Sequence, residues 1–224
     1  MILAAGRGAR LAPLTDAVPK PLLPIAEKPL IERIVHQLVA GGAGQIIINL
    51  HYRGEQIADQ LGDGRRFDTH ILYSREAELL ETGGGIKQAL SLLGEEPFML
   101  CNGDIFTDFD FSQLPKQLAD NDLAHLLLTP RPANRVQGDF ESQDGRLSAR
   151  GNTYVYCGIA IIHPRLFRNS PTGAFSLADL LFRGVEEQII STQIYRGEWR
   201  DIGTIEEYRT VHQMVTRHGA SGVK

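Results

Sequence analysis

Two glycines, two cations and two distant acids hold the chemistry this sequence offers. Residues 3–15 read Leu3-Ala4-Ala5-Gly6-Arg7-Gly8-Ala9-Arg10-Leu11-Ala12-Pro13-Leu14-Thr15, and Pro19-Lys20-Pro21 follows. Small residues after an apolar run let the backbone approach a ligand closely, and N–H groups in such a turn can point at phosphate oxygens. Arg10 adds a two-pronged guanidinium and Lys20 a compact point charge. Together they make a receptacle for a polyphosphate; singly, they also describe a flexible loop with two solvated cations. Two familiar phosphate loops are excluded. A dinucleotide fingerprint needs a third glycine where Leu11 stands, and a Walker loop needs a Gly-Lys-Ser/Thr that the chain lacks.

The acids lie almost a hundred residues apart. Asp104 closes Asn102-Gly103-Asp104 after the apolar run Phe98–Cys101, and Asp201 follows Trp199. Bringing two polyanions together requires their repulsion to be neutralised, which Mg²⁺ does with one or two carboxylates, phosphate oxygens and waters. Each acid also has a purely structural reading: Asn-Gly-Asp makes turns, and Asp201 can cap the segment after it. Asp108 and Asp110 read as caps for the stretch after Phe111, and Trp199 as a packing anchor. No pair of histidines has metal-binding spacing.

These groups need elements to position them. Residues 1–5 read as a buried strand feeding the glycine loop, and Pro13, Pro19, Pro21 and Pro24 keep residues 9–28 out of regular helix. Helical spacing runs from Pro29 through Leu38 to Gly41-Gly42, and Ile46–Leu50 reads as an interior strand. A short helix over 55–61, a strand at 71–73, a helix opened by Gly83-Gly84-Gly85 and a strand over 98–101 follow. Alternating strands and helices imply a mostly parallel sheet covered on both faces, with ligands beyond the carboxyl ends of its strands. Gly6 and Asp104 both sit at such ends. After residue 120 come strands at 123–129 and 155–162, a hairpin turn at Asp144-Gly145, a helix start at Ser176 and short strands at 192–195 and 199–202. Thr204 with Glu207 then forms a capping box. The expectation is one α/β domain over 1–224 with a mixed, mostly parallel central sheet, a nucleotide-binding half to residue 120 and a sugar-sized pocket in 121–224.

Composition narrows the function classes. In 224 residues, 23 Lys and Arg face 27 Asp and Glu, for a net charge of −4. That balance argues against a general nucleic-acid binder. No apolar run reaches the ~20 residues of a membrane span, and no signal-peptide pattern opens the sequence. Cys101 and Cys157 lack metal-ligand spacing, and a reducing cytoplasm is the expected compartment.

The loop motif, Asn102-Gly103-Asp104 and Trp199-x-Asp201-Ile202-Gly203-Thr204 together resemble the signature of sugar-1-phosphate nucleotidylyltransferases, over nearly the whole chain. Glu81-Thr82-Gly83-Gly84-Gly85, the stretch 102–114 and Gly138-Asp139-Phe140 are most similar to the uridylyltransferase branch that serves bacterial cell-wall recycling. The resemblance implies a Rossmann-like fold and transfer of a nucleotidyl group, from UTP in that branch, to a sugar 1-phosphate with release of pyrophosphate. It implies Mg²⁺ between Asp104 and Asp201, with Arg10 and Lys20 as catalytic cations. Leu3, Ala4, Ala5, Gly6, Gly8, Arg10, Glu81, Gly84, Asn102 and Gly103 would bind the nucleotide. Gly138, Asp139, Tyr156, Cys157 and Gly158 would face the sugar. Gly83–Gly85 can lie against a flat base because no Cβ intervenes. Many members carry a Glu-Lys-Pro whose lysine touches the sugar phosphate; here the region reads Ser148-Ala149-Arg150-Gly151-Asn152, with Arg150 the available cation. Mannose- or glucose-1-phosphate nucleotidylyltransferases are the alternative within the enzyme class. Non-catalytic sugar-nucleotide sensors on the same fold typically lose catalytic-loop or metal residues, whereas Gly6, Gly8, Arg10, Lys20, Asp104 and Asp201 are all present here.

Overall fold

The computed structural model describes residues 1–221, with side chains through residue 217. Strands β1 (Ile2–Leu3), β2 (Pro24–Ile25) and β3 (Lys28–Pro29) precede helix α1 (Leu30–Ala40). Next come β4 (Gln45–Leu50), α2 (Gly54–Leu61), β5 (His70–Arg75), α3 (Glu81–Leu93), β6 (Phe98–Asn102) and β7 (Ile105–Thr107). The second half runs β8 (Ala124–Pro130), β9 (Phe140–Gln143), β10 (Arg146–Arg150), β11 (Tyr154–Ile162), α4 (Leu177–Glu186), β12 (Ile190–Ile194), β13 (Trp199–Asp201) and α5 (Ile205–Ser221).

Nine strands form one sheet that continues through both halves, in the order β5-β4-β1-β6-β11-β8-β12-β10-β9. The expected parallel character belongs to the first half, where β1 lies between β4 and β6, and recurs where β12 joins β8. From β6 onward, β11 runs antiparallel to both neighbours, which makes the sheet mixed. Register between β11 and β8 slips between Tyr156 and Ala160, so the strand expected to face the sugar carries an irregularity at the carboxyl end of β6. Such interruptions recur beside active sites because they re-aim side chains.

Each sheet face is covered by helices whose spacing the sequence already showed. Leu30, Ile31, Ile34, Val35 and Leu38 of α1 and Ile57 and Leu61 of α2 bury one face. Ile86 and Ala89 of α3 with Leu177, Leu180 and Leu181 of α4 bury the other. Burial of each large apolar side chain contributes about 1.5–3 kcal/mol before chain entropy is counted. No helix among the described residues is long and apolar enough to cross a membrane.

Small details depart from expectation. Asp110 caps the turn at Phe111–Gln113, but Asp108 instead accepts from the Tyr195 hydroxyl and the Glu198 N–H, tying β7 to the approach of β13. The capping box is only half made. The Glu207 N–H reaches Thr204 Oγ1 at 3.2 Å, whereas the Glu207 carboxylate takes a bond from Asn134.

Candidate active site

The glycine loop leaves β1 between its two parallel neighbours, and a buried polar pair holds that exit. Asn49, 2 % exposed within an otherwise apolar strand, accepts the Ala4 N–H at 2.8 Å and donates to Glu76 Oε1 at 2.7 Å. Glu76 Oε2 accepts the Leu80 N–H at 3.0 Å, so one carboxylate links the loop to the start of α3. Buried polar groups are costly unless paired, and here each has a partner. The sequence reading missed both residues; the available signal was a single amide inside the run Ile46–Leu50.

Gly8 turns the loop in the left-handed region at φ +64. A Cβ there would sit 3.0 Å from the Lys20 Cβ, so glycine also lets Lys20 pack beneath the loop. Lys20, 8 % exposed, then donates to Asp104 Oδ2 at 2.7 Å. Arg10 remains exposed, its guanidinium lying against Gly203.

The two aspartates meet through a separate antiparallel ribbon of β7 and β13. Asp201 pairs with Ile105, the residue after Asp104, and the Ile202 N–H donates to the Asp104 carbonyl at 2.9 Å. Burial, and then the like charge of Asp104, hold the Asp201 carboxyl above its ordinary 3.8, against the pull of Lys20, Arg135 and Arg10. Arg135, absent from the sequence reading, donates to Asp201 Oδ2 at 2.9 Å. Each acid therefore carries its own organic cation.

A cleft of about 550 Å³ collects Leu3, Ala4, Ala5, Gly6, Gly8, Arg10, Lys20, Glu81, Asn102, Gly103 and Asp104. Glu81 holds a left-handed φ of +59 at its rim, a conformation that costs a non-glycine residue about 1–2 kcal/mol. Asp201 lines an adjoining cavity of about 600 Å³, which shares Arg10 and Gly203 with the first.

Several expected contacts fall elsewhere. Gly84 does not line the cleft: a Cβ on it would overlap the Gly173 carbonyl, one on Gly83 the Phe175 ring, and one on Gly85 Glu76 and Asn49. The Gly83 and Gly84 N–H groups donate to the Phe175 carbonyl at 2.9 and 3.2 Å. On their Cβ side these three glycines meet packed protein, while Glu81 and Thr82 just before them line the cleft. Gly138, Asp139, Tyr156, Cys157 and Gly158 line neither cavity. The Cys157 thiol is fully buried while its carbonyl accepts the Trp199 indole N–H at 2.8 Å, and the Tyr156 hydroxyl is buried without a hydrogen-bond partner. Gly158 packs on Asn102, and Gly138 donates to Asn152 at 3.1 Å. Asp139 accepts the Tyr156 N–H at 2.9 Å and lies 3.9 Å from Arg135. Arg150 stacks on the Phe182 ring at 3.4 Å, so it is committed away from the acids.

Comparisons with known proteins bear on the family and the fold. The Nucleotidyl transferase family profile matches residues 1–138. An N-acetylmuramate alpha-1-phosphate uridylyltransferase of Neisseria meningitidis is 42 % identical, over 92 % of this chain and 93 % of that protein. A protein of the same name from Caulobacter vibrioides is 32 % identical, over 91 % and 90 %. Among solved structures, HddC from Yersinia pseudotuberculosis shares the fold, with a TM-score of 0.81, 24 % identity, and coverage of 96 % of this chain and 97 % of that one. A profile spanning more than half the chain and two relatives above 30 % identity over most of it place the protein in the nucleotidyl transferase family, among the sugar-1-phosphate nucleotidylyltransferases.

Proposed function

We propose that the protein transfers uridylyl from UTP to N-acetylmuramate α-1-phosphate, an activity that would return a cell-wall amino sugar to the nucleotide-sugar pool. An oxygen of the sugar phosphate attacks the α-phosphorus, the bond to the β-phosphate breaks, and pyrophosphate leaves. The nucleophile is already an anion, so neither a general base nor a covalent enzyme intermediate is needed, and alignment and charge neutralisation supply the rate.

The observation that carries this reading is the meeting of Asp104 and Asp201 across the β7–β13 ribbon beside the Gly6–Arg10 turn, with the Asp201 carboxyl in the field of Asp104. Two such carboxylates suit a divalent cation. No group of three or more His, Cys, Asp or Glu among the described residues could hold one, so phosphate oxygens and waters would complete the shell, as is usual for Mg²⁺. Mg²⁺ there would draw charge from the α-phosphate. Arg10 and the N–H groups of the loop hold the departing pyrophosphate, while Lys20 neutralises charge on the α-phosphate side and keeps Asp104 in place. The first half, to residue 120, binds the nucleotide and the second binds the sugar. The base and sugar assignments rest on the Neisseria and Caulobacter relatives.

Pyrophosphate release from a panel of UTP, GTP, CTP and dTTP crossed with N-acetylmuramate, glucose and mannose 1-phosphates, with and without Mg²⁺, tests the reading. The expected outcome is highest kcat/KM for UTP with N-acetylmuramate 1-phosphate, abolished by EDTA. A preference for another pair would overturn the substrate assignment, and full activity in EDTA the cation assignment.

A further inference from the structure

The loop 131–139 spans the cavity beside Asp201. Its ends are fixed by backbone bonds from Arg131 to Thr153 at 2.9 Å and from Asp139 to Tyr154 at 2.7 Å. Val136 at its tip is 91 % exposed, and polar bonds hold the backbone. Arg131 donates to the Arg135 carbonyl at 2.6 Å and Asn134 to Glu207 Oε1 at 2.6 Å, which leaves the Arg135 side chain as the part able to reorient. Arg135 reaches inward from the loop. One guanidinium nitrogen donates to Asp201 Oδ2 at 2.9 Å, the other lies 3.9 Å from Asp139, and the group stands 5.6 Å from the centre of the Trp199 ring.

We propose that Arg135 is a two-position substrate-binding residue: it neutralises Asp201 while no divalent cation is bound, then moves its guanidinium to an anionic oxygen of the sugar 1-phosphate. This rests on the reading that Asp104 and Asp201 share a cation. A divalent cation on Asp201 would repel a guanidinium held 2.9 Å from Oδ2. Arg135, one-third exposed, can swing aside where Lys20, packed beneath the glycine loop, cannot. Once released, the planar fork of Arg135 matches phosphate or carboxylate oxygens in two-point geometry, and the 600 Å³ cavity lies directly beside it. The other arginines nearby are committed elsewhere. Arg150 is stacked on Phe182, Arg200 is paired with Glu198 at 2.7 Å, and Arg10 belongs to the phosphate loop. Arg135 thus fills the place left by the missing Glu-Lys-Pro lysine, on a different element.

Trp199 is the chain's single tryptophan, so its emission reports the departure of Arg135. The test compares the full-length protein with Arg135→Ala and Arg135→Lys. In Mg²⁺ titrations without substrate, wild-type emission should change on binding. Arg135→Ala should bind Mg²⁺ about 5–10-fold more tightly by calorimetry, because the competing internal cation is gone. The same variant should raise KM for N-acetylmuramate 1-phosphate about tenfold or more while leaving KM for UTP within about twofold, and Arg135→Lys should recover part of the loss. A hexose 1-phosphate that lacks a carboxylate, used as competitor, separates the two anionic sources. Equal loss of affinity assigns the phosphate; loss confined to N-acetylmuramate 1-phosphate assigns its carboxylate. Unchanged Mg²⁺ affinity in Arg135→Ala, or an unchanged sugar KM, would overturn the inference. Asp201→Asn distinguishes this from failure of the underlying reading. If that variant keeps full transfer activity, the shared-cation reading falls; if it is inactive while Arg135→Ala behaves as wild type, only the role of Arg135 falls.

Discussion

Glycine does opposite things in two regions of this protein. At Gly6 nothing lies within 4 Å of where a Cβ would stand, and the backbone faces the open cleft. At Gly83–Gly85 every missing Cβ would strike protein, because the segment at 173–175 closes over Gly83 and Gly84 and the Glu76–Asn49 pair fills the place beside Gly85. One cluster keeps space for a ligand and the other fills space with chain. A glycine-rich motif therefore does not by itself mark a binding surface; what matters is whether protein already occupies the vacated volume.

The contrast predicts that changes on the open side cost activity and changes on the packed side cost stability. The largest effect should come from Asp201→Asn, with kcat reduced at least ~10²-fold, as for loss of one electrostatic group in a reacting centre. Because burial and Asp104 already disfavour its charge, the melting temperature should hold or rise; a clear fall would mean that the acid supports the fold instead. Gly84→Ala comes next. Forcing a methyl against the Gly173 carbonyl should cost about 2–3 kcal/mol, or roughly 5–10 °C in Tm for a chain of this size. An unchanged Tm would break the comparison at its packed end. Gly6→Ala should leave Tm within a degree or so yet lower kcat/KM by about tenfold, since the backbone can no longer approach the phosphates as closely.

The smallest effect separates pure scaffold from site. Burial alone would raise the Glu32 carboxyl, but hydrogen bonds from Gln60 at 2.8 Å and Arg66 at 2.5 Å, with the charge of Arg66, bring it below its usual 4.5. A depressed folded value means stability that is present above pH 4.5 and lost as pH falls through that lower value. Glu32→Gln should thus cost about 1 kcal/mol at neutral pH and almost nothing at the acid end of a denaturation series, without touching turnover. A cost that persists in acid would show that shape, not charge, is what Glu32 contributes.

Much of the frame was legible because it is written locally. Helical spacing located α1, β-branched runs located β4 and β11, and Asp144-Gly145 forms the turn between β9 and β10 with φ values of +51 and +73. The grouping of Gly6, Arg10, Lys20 and Asp104 at one cleft followed from strand ends in a parallel sheet. What escaped depends on partners distant in sequence. Nothing near Gly84 announces Gly173, nothing near Asp201 announces Arg135, and Cys157 looks like a cleft residue until the sheet encloses it. Asn49 was the exception that could have been caught, as an amide inside an apolar strand needs a buried partner.

The ribbon of β7 and β13 has a consequence for how this site tolerates change. It lies outside the nine-stranded sheet, and Asp108 fastens its far end. The spacing of the two acids is thus gauged by three residue pairs rather than by the whole core. Sequence drift in the large sheet can alter stability while that gauge keeps its setting, whereas a one-residue insertion between Asp104 and Thr107 would separate the acids in a protein that still folds.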